Sequence, residues 1–256
     1  MNIIQLNEVR KAHFLQVFNR AVEDMQIISF GACNYNCPYC KRDGQFKDEH
    51  NNIIYAHDVA ISEIEKIIDI AISKGRRIRL SGGDPCMFLK ESLLIAKYVM
   101  EKHGQKISIA HNGSSLKLIQ NLLPYLDYVA IDFKGGSTQE IAYRSNTKVK
   151  ENSINTILKM LKLCEENNIL CDVRTVVFGD TELNSLSSIA EKLVGFKNVF
   201  WTLRKYCKVQ ECNFKESTAE QVRKYVNSLK NSYPNLNIGM RDKWTGETFY
   251  IPKDTH

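Results

Sequence analysis

Residues 26–40, QIISFGACNYNCPYC, carry the signal that decides the fold. The apolar, β-branched run at 26–31 predicts a strand that ends just before three closely spaced cysteines. Strands alternating with helices favour right-handed βαβ units around a parallel sheet, so we predict an α/β fold, a partial (β/α)6 barrel. Similar apolar, β-branched runs predict five further strands, at 77–83, 106–113, 128–136, 170–178 and 198–206. Helical apolar spacing predicts helices between the strands, at 62–75, 91–104, 114–126, 153–168 and 183–195.

A single domain is the simplest organisation for the whole chain, 1–256, with the barrel core at about 26–206. Before the core, residues 8–24 are expected to form an N-terminal helix. After it, the short C-terminal extension 207–256 is expected to contain one more helix and a short strand. No internal repeat or low-complexity linker divides the chain.

Composition places the chain among ordinary globular proteins, because 43% of its 256 residues are hydrophobic and 25% are charged. No apolar run approaches the roughly 18 residues that would span a bilayer, and the N-terminus lacks the pattern of a secretory signal. We therefore expect a cytoplasmic location and no membrane partner. The net charge of +6 permits an anionic partner but does not require one.

Three of the eight cysteines, Cys33, Cys37 and Cys40, form a C-x3-C-x2-C pattern within eight residues. One alternative is a structural zinc site, which needs four protein ligands and lacks a second half-site here. Another is three unrelated core cysteines, although the neighbouring Asn, Tyr and Pro residues favour a loop. A [4Fe–4S] cluster usually takes four cysteines, so three thiolates leave one iron open for an exogenous ligand. The pattern predicts such a cluster.

Other unusual residues follow the predicted strands at their carboxyl ends, where a parallel barrel gathers its chemistry. After the second predicted strand, Gly82 and Gly83 either let the backbone approach a ligand closely or simply form a turn. A charged residue within an apolar strand, Arg174, requires an anion such as a carboxylate if it points inward. These candidate residues are Gly82, Gly83, Asp84 and Pro85 after the second strand, Asn112 after the third, Asp132 and Lys134 at the fourth, and Arg174 in the fifth.

The cysteine pattern, with the aromatic Tyr39 before its last cysteine, resembles the signature of the radical S-adenosylmethionine (SAM) superfamily. The resemblance implies Cys33, Cys37 and Cys40 as ligands of a [4Fe–4S] cluster whose open iron binds SAM. It also implies reductive cleavage of SAM to a 5′-deoxyadenosyl radical that abstracts hydrogen, with a one-electron donor such as flavodoxin or ferredoxin. Tyr39 would then lie near the adenine.

The rest of the predicted SAM pocket resembles the small branch that activates glycyl-radical enzymes. The segment Gly82–Pro85 is similar to the GGE-type motif that binds the SAM amino group, with Asp84 where Glu is commoner. Asp132 and Lys134 resemble a D-x-K element that reaches the SAM carboxylate, the alternative being a surface ion pair. Arg174 resembles a further SAM contact. The branch often has Asp-Thr where this chain has Ala110 and His111, so the sequence leaves open whether a monovalent cation sits beside SAM.

The substrate stays open at this level, because a superfamily fixes the chemistry and not the molecule acted on. The first hypothesis is hydrogen abstraction from a protein or peptide, as in activases or peptide-modifying enzymes. The second is a small nucleoside, purine precursor or sugar, with Arg174 and Arg204 suited to a phosphate or carboxylate. The third is a non-enzymatic iron–sulfur or zinc module. His111 is either a polar lining residue or a hydrogen-bonded histidine at a strand end.

Overall fold

A computed structural model describes residues 3–14, 23–40, 46–47, 53–54, 57–209, 212–242 and 249–250. The strands are β1 (Ile3–Phe14), β2 (Glu23–Phe30), β3 (Phe46–Lys47), β4 (Ile53–Ile54), β5 (His57–Ala60), β6 (Arg77–Gly82), β7 (Ile107–His111), β8 (Leu126–Asp132), β9 (Leu170–Val177), β10 (Val199–Lys205), β11 (Ile238–Arg241) and β12 (Phe249–Tyr250). The helices are α1 (Ile61–Ser73), α2 (Leu89–His103), α3 (Leu116–Leu122), α4 (Thr138–Ser145), α5 (Ser153–Glu166), α6 (Leu183–Leu193) and α7 (Ala219–Ser232), with 3-10 turns at Pro85–Phe88 and Leu123–Tyr125.

The main sheet confirms the predicted α/β architecture. Its order is β12-β11-β10-β9-β8-β7-β6-β2-β1-β5, and neighbouring strands from β2 through β6 to β11 are parallel. In the described residues the outermost strands, β12 and β5, do not pair with each other, so the barrel is open. The short strand predicted in the C-terminal extension is β11, a seventh parallel strand beside β10.

The predicted N-terminal helix at 8–24 is wrong where the structure describes it. Residues 3–14 form β1, which pairs antiparallel with β2 and with β5. Without β1, the edge of β2 would expose a row of backbone N–H and C=O groups, and pairing satisfies them. Residues 15–22 of the predicted helix lie outside the described residues.

The two faces of the parallel sheet differ because successive side chains along a strand point to opposite sides. The face that packs against the helices, called here the convex face, forms one continuous apolar core. Its strand residues include Ile28, Phe30, Ile78, Leu80, Ile107, Ile109, Val129, Ile131, Cys171, Val173, Trp201, Leu203, Ile238 and Met240. The opposite, concave face faces the interior of the barrel and carries polar and charged side chains between these positions.

One helix, α4, was absent from the sequence prediction. It has only eight residues, and its N-terminus is capped by Ser137, whose hydroxyl accepts a hydrogen bond from Glu140 N. The C-cap, Asn146, takes a left-handed conformation with φ 45°. So short a helix shows little apolar periodicity. None of the helices in the described part of the chain is long and apolar enough to cross a membrane.

Candidate active site

The glycine pair after β6 packs directly against the chain that enters the cysteine loop. Gly83 N donates to Phe30 O at 2.6 Å, and Asp84 N donates to Ala32 O at 2.7 Å. A Cβ atom on Gly83 would lie 2.1 Å from Ala32 O, and one on Gly82, where φ is +104°, would lie 2.2 Å from Phe30 N. Neither position tolerates a side chain without moving backbone. The chain's own backbone therefore makes the close approach for which the sequence suggested a ligand.

The three motif cysteines lie together in the loop that follows β2. Cys33 is exposed, and Cys37 and Cys40 are partly exposed. Cys40 N donates to Cys37 O at 2.9 Å and closes a turn, while Tyr35 N donates to Cys33 Sγ at 3.4 Å. The loop thus presents three thiols at the carboxyl end of the parallel sheet, where a ligand can reach them.

The cysteine loop is held from two sides. Asn36 N donates to Ser145 O and to Thr147 Oγ1, each at 3.0 Å, which ties the loop to the end of α4. On the other side, Asn34 Nδ2 donates to Ser114 Oγ at 2.9 Å, in the segment after β7. The helix that the sequence analysis missed therefore anchors the cysteine loop.

Asp84, predicted to help bind SAM, is directed into the protein and is only 2% exposed. Its carboxylate accepts hydrogen bonds from His111 Nδ1 at 2.8 Å, Asn112 N at 2.8 Å and Cys86 N at 2.9 Å. Burial raises the pKa of the Asp84 carboxyl, but the hydrogen bonds from His111 and Cys86 lower it below its ordinary value. Its carboxylate joins the end of β6 to the end of β7.

The sequence left two alternatives for His111, and in the structure it is a hydrogen-bonded histidine at a strand end. Its Nε2 accepts a hydrogen bond from Ser115 N at 3.0 Å, so the proton lies on Nδ1 and is donated to Asp84. The side chain is buried. Both ring nitrogens are therefore used within the protein.

Asn112 connects this buried pair to the cysteines. Its side-chain Nδ2 donates to Asn34 Oδ1 at 2.7 Å and lies 3.6 Å from Cys33 Sγ. Its Oδ1 accepts from Ser114 N at 3.0 Å, and its backbone N is bound by Asp84. A continuous set of hydrogen bonds thus runs from the β6 end, through the predicted site residue Asn112, to the first cysteine.

Asp132 and Lys134 are brought together as predicted, although the strand ends earlier than expected. Strand β8 stops at Asp132, and the ladder continues for one more hydrogen bond, from Phe133 N to Arg174 O at 2.8 Å. Lys134 Nζ lies 2.9 Å from Asp132 Oδ2, and the lysine side chain is 7% exposed. Burial lowers the pKa of Lys134, but Asp132 raises it well above its ordinary value, so the ammonium persists. Because Lys134 is buried, its pair with Asp132 is not the surface ion pair that the sequence left as an alternative.

Tyr39 lies between Lys134 and an aromatic cluster. Lys134 Nζ is 3.4 Å from its hydroxyl oxygen, and the Tyr39 ring packs edge-on against Phe178 with 4.9 Å between centroids. Phe214 and Tyr206 complete the cluster at 6.0 and 6.4 Å from Tyr39. Neither Phe178 nor Phe214 was predicted from the sequence as a site residue. Their packing fixes the ring that precedes the last cysteine.

Arg174 points inward and is 8% exposed. Its Nε donates to Asp172 Oδ2 at 2.5 Å, and Thr202 Oγ1 donates to Asp172 Oδ1 at 2.6 Å. The anion that an inward arginine requires is therefore the chain's own Asp172, which was not predicted as a site residue. The signal was present, because residues i and i+2 of a strand share a face, and Asp172 precedes Arg174 by two.

Comparison with known proteins gives the family. The family model described as the Radical SAM superfamily matches residues 27–191, more than half of the chain. This protein belongs to the radical SAM superfamily. The cofactors of that family are a [4Fe–4S] cluster and SAM. Three partly accessible thiols on one loop form a donor set that fits such a cluster. The buried ammonium of Lys134 beside them is suited to a carboxylate, such as the one SAM carries.

Individual relatives of this radical SAM protein carry several names. A Methanocaldococcus jannaschii protein, named as a candidate glycyl-radical enzyme activating enzyme, is 32% identical over 154 residues, 58% of this chain and 59% of that one. A GTP 3′,8-cyclase of Clostridium perfringens is 24% identical over 187 residues, 68% of this chain and 54% of that one. The chain thus spans less than two thirds of the length of either relative.

A solved structure supports the fold. The structure of Streptococcus suis SuiB bound to S-adenosylmethionine matches with a TM-score of 0.64 at 15% identity, over 86% of this chain and 52% of that one. At this identity the likeness concerns the fold alone. It agrees with an open, partial barrel for the radical SAM protein described here.

Proposed function

We propose that Cys33, Cys37 and Cys40 hold a [4Fe–4S] cluster and that the chain catalyses reductive cleavage of SAM. When bound, the cluster supplies the electron that splits SAM into methionine and a 5′-deoxyadenosyl radical, which abstracts a hydrogen atom from the substrate. The observation that carries this proposal is the seating of three accessible thiols at the carboxyl end of the parallel sheet, anchored through Asn112 and α4.

The chain's other predicted site residues take roles in binding SAM under this proposal. Lys134 binds the SAM carboxylate, because its ammonium is buried and kept charged by Asp132. Arg174 lies next to Asp132 in the strand register and adds positive charge on the same side. Tyr39, held by the aromatic cluster, orients the adenine.

The backbone around Gly82, Gly83 and Pro85 is proposed to receive the SAM amino group. Asp84 acts as a positioning residue rather than as a direct ligand, because its carboxylate is already occupied by three donors. Through Asn112 it holds the first cysteine and the end of β7 in place.

The experiment is a measurement of 5′-deoxyadenosine. Protein reconstituted anaerobically with iron and sulfide would be given SAM and a strong reductant. We expect 5′-deoxyadenosine from the wild type and from Cys207→Ala, a control thiol outside the motif. Cys37→Ala should form none and should bind less iron. A wild-type protein that carries a full [4Fe–4S] cluster and yet forms no 5′-deoxyadenosine would contradict the proposal.

A protein or peptide is the first candidate substrate. Its support is the relative named as an activating enzyme, which implies a glycyl-radical partner and a one-electron donor such as flavodoxin or ferredoxin. Incubation with a cognate glycyl-radical enzyme should then produce a glycyl radical visible by electron paramagnetic resonance. Its absence with a SAM-cleaving preparation would count against this substrate class.

A small anionic molecule is the second candidate, and the interior of the barrel favours it. Arg79, Arg174 and Arg241 are all at least nine-tenths buried on strands β6, β9 and β11. These side chains bring positive charge to the barrel interior, and a guanidinium group is suited to a phosphate or carboxylate of a small substrate. The relative named as a GTP 3′,8-cyclase acts on such a molecule.

A further inference from the structure

The side chain of Asn112, which directly follows β7, is held in one orientation beside the cysteine loop. Its backbone N donates to Asp84 Oδ2 at 2.8 Å, and its Oδ1 accepts a hydrogen bond from Ser114 N at 3.0 Å. An amide nitrogen cannot accept a hydrogen bond from another N–H group, so the contact with Ser114 N identifies the oxygen of this side chain. Its other end, Nδ2, is therefore a donor directed at the cysteine loop.

The two N–H groups of Asn112 Nδ2 have separate partners in that loop. One partner is Asn34 Oδ1, at 2.7 Å, and the other is Cys33 Sγ, at 3.6 Å. Sulfur is larger than oxygen, so a hydrogen bond to sulfur is longer than one to a carbonyl group. Asn112 itself is only 7% exposed, which keeps this donor largely shielded from water. The side chain thus uses one N–H group to anchor the loop and directs the other at the first motif cysteine.

Cys33 Sγ accepts N–H groups from two separate parts of the chain. Tyr35 N, two residues further along the loop, donates at 3.4 Å, and Asn112 Nδ2 donates from the end of β7. The thiolate, which is the form that binds a metal, carries more negative charge than the thiol and is the better acceptor. Both hydrogen bonds therefore favour the sulfur in the form in which it holds a cluster.

Hydrogen bonds to cysteine sulfur are among the factors that set the reduction potential of an iron–sulfur cluster. One-electron reduction makes the cluster one unit more negative, and the electron comes from an external one-electron donor. An N–H group that points at a ligating sulfur stabilises the more negative state more strongly than the less negative one. Loss of such a donor should therefore make the cluster harder to reduce.

We propose that Asn112 is a positioning residue for the cluster, and that the hydrogen bond from its Nδ2 to the Cys33 thiolate raises the reduction potential of that cluster. No covalent bond of Asn112 forms or breaks in this role. The inference deepens the proposed function and rests on it, because it requires a [4Fe–4S] cluster at Cys33, Cys37 and Cys40. It assigns Asn112 to the cluster rather than to SAM.

A purely structural role for Asn112 is the alternative, because the same Nδ2 also binds Asn34. The side chain of Asn34 donates in turn to Ser114 Oγ at 2.9 Å, so it links the loop to the segment after β7. Removing the Asn34 side chain takes away this anchoring contact and leaves the N–H group that points at Cys33. Substituting Asn34 and Asn112 one at a time therefore separates anchoring of the loop from hydrogen bonding to sulfur.

The test is a redox titration of the reconstituted holoenzyme, followed by the electron paramagnetic resonance signal of the reduced cluster. Asn112→Ala removes the donor. Asn112→Asp keeps the shape of the side chain and the hydrogen bond from Ser114 N, but replaces the donor with an oxygen. We expect the reduction equilibrium to become about tenfold less favourable for Asn112→Ala, or about 59 mV for one electron. The shift should be larger for Asn112→Asp, whose negative charge adds to the effect.

Asn34→Ala is the matched control, because it removes the other partner of the same Nδ2 and leaves the contact with Cys33. Its reduction potential should stay close to that of the wild type. Iron and acid-labile sulfide are measured in every preparation, so that the potentials compared are those of complete [4Fe–4S] clusters.

The outcomes distinguish this inference from the proposed function. A complete cluster with the same potential in the wild type and in both Asn112 variants overturns the role of Asn112 and leaves the proposed function intact. An equal shift in Asn34→Ala, or loss of the cluster from both Asn112 variants, also overturns it, because Asn112 then acts by holding the loop.

Two further results concern the proposed function itself. A potential that depends on Asn112, in protein that forms no 5′-deoxyadenosine, would support the inference and contradict the radical chemistry. Wild-type protein that binds no [4Fe–4S] cluster would contradict the proposed function and this inference together.

Discussion

The convex and concave faces of the parallel sheet are built from alternate residues of the same strands, yet they have opposite chemistry. On β10, Trp201 and Leu203 are fully buried among helices, whereas Thr202 and Arg204 face the barrel interior. On β9, Val173 packs in the core, and its neighbours Asp172 and Arg174 form a buried ion pair. Burial is thus similar on both faces, and the difference lies in what is buried.

This difference separates what the fold needs from what the site needs. Apolar burial stabilises the protein by roughly 25 cal/mol per Å², whatever the function. Buried ion pairs, in contrast, are weak evidence for stability, because desolvation offsets much of their attraction. A face that collects buried charges therefore indicates binding or catalysis. Substitutions on each face test whether stability and ligand binding can be separated in this way.

The largest effect is expected from the convex face. Trp201→Ala removes a fully buried indole and should lower the free energy of unfolding by about 3–5 kcal/mol. Trp201→Phe is the matched control, because it keeps an aromatic ring and loses mainly the hydrogen bond from Nε1 to Thr175 Oγ1. Urea unfolding followed by circular dichroism measures both. Equal losses for the two variants would mean that the hydrogen bond, and not the apolar packing, holds this face.

A concave-face change should act through charge and depend on pH. Asp172→Asn leaves Arg174 with less compensation and should cost about 3 kcal/mol near neutral pH. Burial raises the pKa of Asp172, but Arg174, Arg204 and Thr202 lower it below its ordinary value. Because the pKa of Asp172 is lower in the folded state, its ionisation stabilises the protein above the unfolded pKa of about 3.9. This stabilisation is lost as the pH falls through the folded pKa.

The wild type and Asp172→Asn should therefore converge in stability as the pH is lowered from 6 to below about 4. Urea unfolding at several pH values measures this convergence. Trp201→Ala provides the contrast, since its loss of stability removes no titrating group and should stay nearly constant over the same range. A gap for Asp172→Asn that stays constant or widens in acid would show that the carboxylate is not the source of its effect.

The difference between the two faces also explains which structural elements could be predicted from the sequence. The six strands and their helices were predictable because residues of the apolar core, such as Ile78 and Leu80, recur with a regular spacing within each element. Strand β1 was not predictable, because it forms by pairing with the edge of β2, which is a separate segment of the chain. Tertiary context overrode the local preference for a helix there.

The site was predictable where it depends on local spacing, and less so elsewhere. The cysteine motif and the Asp132–Lys134 pair are close in sequence, and the structure brings the latter pair together. Partners such as Phe214 for Tyr39, or Asp84 for His111, are joined only when separate strand ends meet. Arg79 was not predicted as a site residue, because its proximity to the arginines of other strands is known only from the fold.

The smallest effects come from a matched pair of substitutions, one on each face. Thr175→Val and Thr202→Val both replace a buried hydroxyl with a methyl group of similar size. Thr175 Oγ1 donates to Phe133 O and accepts from Trp201 Nε1, so its loss disturbs two hydrogen bonds and should cost about 2 kcal/mol. Thr202 Oγ1 makes one, to Asp172, and its loss should cost about 1 kcal/mol.

Ligand affinity should show the reverse order. Thr202→Val loosens Asp172 and, through it, Arg174, so the affinity of the reconstituted protein for SAM should change by a few fold although stability changes little. Thr175→Val should leave that affinity unchanged, because its partners lie on the helix-packed side of the sheet. Titration calorimetry beside urea unfolding gives both quantities for each variant. If Thr175→Val altered binding more than Thr202→Val, the two faces would not divide stability from ligand binding.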